Sequence, residues 1–252
     1  MKNKVILITG ATSGFGKAIA IRLAKKGAKI IATGRRLDRL NKLREQIGKD
    51  NLLPLDFDIR EQDQVFSIIN SLDKHWSNID VLINNAGLAK GLNSSDKTEI
   101  DHWNEMVDTN CKGLMYVTRA VLKNMGHKND GQIINIGSVA GTYPYFGGNI
   151  YGASKAFVHQ FSLNLRADLA EKNIRVTSLE PGAAETEFSL VRFDGDKDKA
   201  KKTYEGFDPI KSNDIAEVVE FLINSPKNIN INRIEIMSND QSFAGFNFIK
   251  NK

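Results

Sequence analysis

Seven short runs rich in Val, Ile and Leu are spaced along the chain, with longer helix-patterned segments between them. That alternation restricts the fold more than any other feature. The runs are KVILIT (4–9), AKIIAT (28–33), NLLPLDF (51–57), IDVLIN (79–84), GQIINIG (131–137), IRVTSLE (174–180) and INRIEIM (231–237). Most are nearly continuous in apolar residues, as strands covered on both faces must be. Helices are expected near 14–26, 37–48, 61–75, 99–125, 150–171 and 212–223. In the first, Phe15, Ala18, Ile19, Ile21 and Ala24 recur at helical spacing and Gly27 supplies a stop. Ser212 is placed to cap the last. The pattern predicts a doubly wound α/β domain: a seven-stranded parallel sheet with helices on both faces and right-handed crossovers. With 252 residues and no linker, one domain over 1–252 is expected. The charged segment 183–207 breaks the rhythm, with GDKDKAKK at 195–202. Because it follows the C-terminal end of a strand, it is expected to form a lid over a ligand.

Composition removes several classes of function. The net charge is +5, but the 35 basic residues are interspersed with 30 acidic ones. There is no basic stripe or helix-turn-helix signal, so nucleic acid is not an expected partner, whereas a small anion is. Cys111 is the single cysteine. It is read as a buried small residue and not a nucleophile, and it rules out a disulfide framework or a cysteine zinc site. His75, His102, His127 and His159 are far apart and form no ligand pair, so no metal is expected. In the basic start MKNKVILITG, the apolar run Val5–Ile8 is too short for a signal-peptide core. No run approaches the roughly 18 apolar residues of a membrane span. A cytoplasmic protein without membrane contact is expected.

The turn TGATSGFG (9–16) joins the first strand to the first helix. Gly10, Gly14 and Gly16 let the chain turn sharply, and a helix N-terminus favours phosphate. The spacing is not G-x-G-x-x-G. Its position after the first strand nonetheless makes nucleotide binding the better reading. Farther on, NIYGASKAF (149–157) places Tyr151 and Lys155 four residues apart, on one helical face, with small residues between them.

These motifs jointly resemble the short-chain dehydrogenase/reductase family. T-G-x-x-x-G-x-G opens the chain, NNAG (84–87) follows the fourth strand, and Ser138 lies thirteen residues before Tyr151. PGAAET (181–186) follows the sixth strand, so the motifs appear in family order over nearly the whole chain. The resemblance implies a Rossmann-type fold and hydride transfer between a nicotinamide and an alcohol/carbonyl pair. Asn110, Ser138, Tyr151 and Lys155 would be the catalytic residues. A phenol of pKa near 10 is a poor base at neutral pH, and lowering it by about 2–3 units requires roughly 3–4 kcal/mol. A cation about 4 Å away, at an effective dielectric near 20, supplies about 4 kcal/mol. Lys155 is therefore expected to make Tyr151 acidic. Ser138 would orient the substrate oxygen, and Asn110 would hold a water linking Lys155 to solvent. The small residues 152–154 would let substrate and nicotinamide approach.

The cofactor is expected to be NADP(H). After the second strand, ATGRRLDRL (32–40) has Gly34 where an NAD-selective protein usually places an acid, followed by Arg35 and Arg36. A guanidinium grips a 2′-phosphate and stacks on adenine. The resemblance further assigns cofactor contacts to Gly10, Ala11, Thr12, Ser13, Gly14, Phe15 and Gly16 in the turn. Asp58 and Ile59 would meet the adenine edge, and Asn85, Ala86 and Gly87 would line the groove. Tyr151, Lys155, Pro181, Gly182 and Thr186 complete the set.

Within the family, INIGSVAGTYPYFGGNIYGASKAF and EPGAAETEFSLVRFDGD resemble the NADP-dependent 3-hydroxy acid dehydrogenases. This subgroup is also described as serine or L-allo-threonine dehydrogenases and malonic semialdehyde reductases. PGAAETEF is shorter than in some members. Substrates of the subgroup carry an anion near the reacting carbon, and Arg192 is the candidate to grip it, with Ser138 and Tyr151 at the reacting oxygen. A sulfonate would satisfy the same arginine, so a sulfoacetaldehyde reductase is the runner-up. A nucleotide-sensing protein on the same fold is the alternative of another class. Trp76, Trp103 and the Phe-rich tail SFAGFNFIK (242–250) are expected in core or subunit contacts, and family habit suggests a homotetramer.

Overall fold

The computed structural model describes residues 1–125 and 130–243. His127 and positions 244–250 of the Phe-rich tail lie outside the described residues. The strands are β1 (Val5–Ile8), β2 (Lys29–Gly34), β3 (Leu52–Asp56), β4 (Val81–Asn84), β5 (Gly131–Ile136), β6 (Ile174–Pro181) and β7 (Arg233–Ile236). The helices are α1 (Gly14–Lys25), α2 (Leu37–Ile47), α3 (Gln62–Asn70), α4 (Ile100–Val107), α5 (Leu114–Met125), α6 (Asn149–Asp168), α7 (Phe188–Arg192), α8 (Lys197–Lys202) and α9 (Ser212–Asn224). All seven strands join one sheet in the order β3-β2-β1-β4-β5-β6-β7. Every pairing is parallel.

The doubly covered sheet follows from the strand sequences. All four side chains of β1 are buried, and they alternate between two cores. Ile6 and Ile8 join Ile19 and Leu23 of α1, Leu40 of α2 and Val219 of α9. Val5 and Leu7 join Val65 and Ile69 of α3, Val117 and Val121 of α5 and Leu165 of α6. Two hydrophobic layers thus hold one sheet between them, as continuous β-branched strands require. Chain order reverses direction between β1 and β4, so a crevice opens beyond their C-terminal ends. Below it, Asn84 donates to Thr118 (2.9 Å) and Asn135 (2.8 Å), and Asn135 donates to Ser162 (2.9 Å). These buried amides tie β4 and β5 to α5 and α6 with their donors satisfied.

The structure adds to the sequence expectation, or departs from it, in four places. The helix expected over 61–75 ends at Asn70, and turns carry the chain through Trp76. The expected helix 99–125 is interrupted by a π-helical turn over Asp108–Gly113. Segment 183–207 contains two short helices, α7 and α8, and pairs Ala184 with Ile210. Ser212 is the first helical residue and not the cap; the Lys211 N–H before it is received by the Asp214 carboxylate at 2.8 Å.

The loop after β1 is built around absent side chains. Gly10 has φ +66°, which non-glycine residues rarely adopt. A Cβ on Gly16 would lie 2.5 Å from the Gly10 carbonyl oxygen and 2.6 Å from Asn85 Nδ2. Asn85 donates to the Thr9 and Gly10 carbonyls at 2.8 and 3.1 Å, so the obstruction is a hydrogen-bonded junction and not a free side chain. Gly16→Ala is therefore expected to destabilise the protein by about 1–3 kcal/mol. The denaturant midpoint in urea should fall at unchanged slope, and an unchanged midpoint would show that the junction yields freely.

Candidate active site

Helix α6 begins just before Tyr151, and the spacing of four places both Tyr151 and Lys155 against the sheet. Both are buried. Lys155 Nζ donates to the Ile136 carbonyl at the end of β5 at 2.8 Å and lies 5.9 Å from the centre of the Tyr151 ring. Ser138, two residues past β5, lines the same cavity as Tyr151 and draws its phenol down. The Ser138 hydroxyl accepts from the Ala140 N–H (3.1 Å) and donates to the Pro181 carbonyl (3.4 Å). Of the small residues between Tyr151 and Lys155, Gly152 and Ser154 serve helix packing, while Ala153 is exposed. A Cβ on Gly152 would come within 2.9 Å of the Ala140 oxygen, and Ser154 is buried against the π turn.

The electrostatics differ from the sequence expectation. Burial pushes the Tyr151 phenol up to about 12, with Arg192 and the Ser138 hydrogen bond acting in the opposite direction. Burial brings the Lys155 ammonium down to about 8. Lys155 Nζ stands 5.9 Å from the ring centre, and the phenol beside it stays raised by its burial. By itself, the protein therefore holds Tyr151 as a neutral acid at physiological pH. Cys111 is half-buried, and its thiol is pushed up by burial, the reverse of an activated nucleophile.

Asn110 lies in the π turn, where the extra residue turns its side chain toward β4 and α6. Its Oδ1 accepts from the Leu88 N–H (2.9 Å), and its Nδ2 donates to the Leu88 carbonyl (2.9 Å) and Ser154 Oγ (3.0 Å). Both amide hydrogens and the side-chain oxygen have protein partners, so the side chain braces the π turn against the loop after β4 and against α6. The partner Ser154 was missed because a serine inside a helix carries no signal of its own.

At the other end of the crevice, Arg36 reaches back to the glycine turn. Its Nε and one amino group donate to Thr12 Oγ1 (3.2 and 2.6 Å), and that amino group also donates to Ser13 Oγ (3.0 Å). Its other amino group meets Glu187 at 3.1 Å, and Arg39 meets the same carboxylate at 2.7 and 2.8 Å. Arg35 is more exposed and lies 3.6 Å from Asp58. The Asp58 carboxylate is held by Arg60 at 2.7–3.1 Å, so the expected adenine-edge residue already has a strong partner. Sequence reasoning missed Arg39 and Glu187, whose contact joins distant segments, and Arg60, which binds Asp58 two residues before it.

Arg192, at the end of α7, lies over the Tyr151 and Phe188 rings, its guanidinium carbon 5.2 Å from each centre. One amino group donates to the Tyr145 hydroxyl at 3.0 Å, while the buried Nε has no hydrogen-bond partner. Tyr145 was not singled out in the sequence. A cavity of about 630 Å³ connects these regions. It extends from Arg35, Arg36, Asp58 and Ile59, past Gly10, Thr12–Phe15 and Asn85–Gly87, to Ser138, Tyr151, Lys155, Pro181, Gly182, Thr186 and Arg192. Ala11 and Asn110 are buried beside it, and Gly16 is buried in α1. A glycine turn at a helix N-terminus, basic groups at one end and a Tyr–Ser–Lys cluster at the other suit a phosphorylated dinucleotide. Among the described residues no cluster of His, Cys, Asp and Glu could hold a metal, and no helix is long and apolar enough to cross a membrane.

Comparison with known proteins agrees with this geometry. Residues 4–196 match the family model for short chain dehydrogenases. A probable NADP-dependent dehydrogenase of Haemophilus influenzae is 52% identical over 253 residues, covering 100% of both chains. An NADP-dependent 3-hydroxy acid dehydrogenase of Escherichia coli K12 is 50% identical over 244 residues, covering 96% of this chain and 98% of that protein. The closed form of a serine dehydrogenase complexed with NADP+ superposes with a TM-score of 0.96 at 49% identity, over 98% of this chain and 100% of that one.

Burial of Lys155 also predicts how stability depends on pH. Its folded pKa, about 8, lies below the ordinary 10.5, so between these values the unfolded chain binds more protons. Stability from this group therefore rises with pH across that window. Lys155→Met removes the buried charge and should be the more stable protein at pH 7. Its advantage should shrink by on the order of 2 kcal/mol by pH 10. Urea unfolding of cofactor-free protein at both pH values checks this, and a constant gap would mean that Lys155 is not desolvated.

Proposed function

The chain belongs to the short-chain dehydrogenase family, and from that premise we propose that it is an NADP-dependent oxidoreductase that interconverts short 3-hydroxy acids and their carbonyl forms. Serine, L-allo-threonine and 3-hydroxypropionate define the substrate type. The relatives named above, at about half identity over nearly the whole chain, support the cofactor and the reaction class. The observation that carries the choice of an acidic substrate is Arg192: a guanidinium over the Tyr151 ring with a buried, unpartnered Nε. A carboxylate would supply that partner and bring its neighbouring carbon to the phenol.

Bound NADP(H) supplies the hydride in reduction and accepts it in oxidation. The glycine turn Gly10–Gly16, with Ala11, Thr12, Ser13 and Phe15, would hold its pyrophosphate, and Arg35 and Arg36 its 2′-phosphate. Asp58 and Ile59 would border the adenine, Asn85, Ala86 and Gly87 the groove, and Pro181, Gly182 and Thr186 the nicotinamide end. In reduction, Tyr151 donates its proton to the carbonyl oxygen, a role for which a neutral, buried phenol is suited. Ser138 donates a hydrogen bond to the same oxygen as negative charge develops there. Lys155 stabilises the resulting phenolate across the ring edge, and Asn110 braces the wall between β4 and α6. Segment 183–207 acts as the lid that carries Arg192. We read the protein as a cytoplasmic homotetramer, in keeping with family habit and with the exposed Ile100 and Met115 on α4 and α5.

Two variants test these roles. Tyr151→Phe should reduce turnover by at least about 1,000-fold while leaving the NADPH dissociation constant within about twofold. A parallel loss of both would indicate misfolding. Arg192→Ala should raise KM for a carboxylate or sulfonate aldehyde about 10- to 100-fold and leave an uncharged aldehyde unaffected. The panel also decides which anion fits better; an unchanged KM for both acids removes Arg192 from substrate binding.

A further inference from the structure

The Glu187 carboxylate is bound by the guanidinium groups at the expected 2′-phosphate site. It receives Arg36 at 3.1 Å and Arg39 at 2.7 and 2.8 Å. Arg36 is fixed on its other side by Thr12 and Ser13 of the glycine turn. Two cations from the β2–α2 segment therefore converge on one anion brought by the chain after β6. Glu187 immediately precedes α7, and Arg192 ends that five-residue helix. One end of α7 is tied to the adenosine side of the cavity, while the other lies over Tyr151.

We infer that Glu187 is an internal stand-in for the cofactor's 2′-phosphate, and that phosphate and lid compete for Arg36 and Arg39. The inference rests on the NADP assignment above. Two guanidinium groups balance one carboxylate with a single positive charge left over. A phosphate approaching the same groups, at nearly two negative charges, meets the Glu187 charge as a repulsion. The phosphate presents three acceptor oxygens to these donors, more than a carboxylate can offer, so it displaces Glu187 from at least one of them. Displacement frees the N-terminal end of α7. Binding at the adenosine end is thereby linked to the freedom of the segment that carries Arg192, and the linkage is reciprocal. Other ionic ties hold the same segment: Asp194 to Lys90 at 2.7 Å and Glu185 to Lys211 at 2.8 Å. Neither of those partners lies among the arginines, so the Glu187 tie is the one that a 2′-phosphate can break. Arg39 joins Arg35 and Arg36 as a determinant of cofactor choice.

The test compares wild-type protein with Glu187→Gln, titrated at low salt with NADPH, NADH and 2′,5′-ADP. Glu187→Gln should bind NADPH and 2′,5′-ADP about three- to tenfold more tightly, with NADH within about twofold, because only the 2′-phosphate meets the removed charge. In wild-type protein, 2′,5′-ADP should raise amide hydrogen exchange over residues 185–192, while 5′-AMP should not. Unchanged or weaker binding of 2′,5′-ADP by Glu187→Gln overturns the proposal, as does 2′,5′-ADP producing no more exchange than 5′-AMP. Arg36→Ala distinguishes this failure from that of the NADP site. If Arg36→Ala lowers the preference for NADPH over NADH while Glu187→Gln changes nothing, the site stands and the competition falls. If Arg36→Ala leaves the preference intact, the phosphate site itself is misplaced.

Discussion

The desolvation of Lys155 shapes this site more than any single charge pair. An ammonium removed from water must find a fixed partner, and here the partner is the Ile136 carbonyl at the end of β5. That bond sets the distance between α6 and the sheet, and with it the position of Tyr151 one turn earlier. The same burial that fixes the geometry opposes charge: the ammonium is driven down and the phenol up. A pair of this kind is poised for proton donation before it is poised for proton removal. Any further lowering of the phenol has to come from charge brought in from outside the polypeptide.

Rigidity below the crevice makes that placement sustainable. The Asn84–Asn135–Ser162 chain and the Asn110–Ser154 bond join β4, β5 and the π turn to α6 through buried amides. An unsatisfied amide in this region would cost about 1–3 kcal/mol, so each bond specifies a register as well as adding stability. The π turn supplies the residue that lets Asn110 reach Leu88 and Ser154 together.

What could be read from the sequence follows from how local each signal is. The seven strands were legible because a doubly covered strand must be apolar along its length, and the sheet contains them within a residue or two of the expected limits. Tyr151 and Lys155 were legible because a spacing of four fixes a shared helix face. The π turn was not, since its extra residue is required only by partners in the loop after β4 and on α6. The cost of burying Tyr151 and Lys155 was not legible for a related reason: spacing gives direction but not depth. Arg192 was named from its sequence neighbourhood, yet its partner Tyr145 lies 47 residues away. Glu187 is one more acid in a charged segment, and only the approach of α2 and α7 gives it a partner.

The two ends of the cavity are therefore unlike in physical character. Around Tyr151 and Lys155 the polar groups are buried, and Lys155 is held by a backbone carbonyl. Around Arg36, Arg39 and Glu187 the groups are partly exposed, with side-chain accessibilities of 39–41%. Such pairs are individually weak and are screened by salt. Weakness is what would let one anion replace another there without disturbing the sheet. A segment fastened to the exposed end and carrying Arg192 to the buried end can move on its weak attachment while the proton-transfer geometry stays fixed.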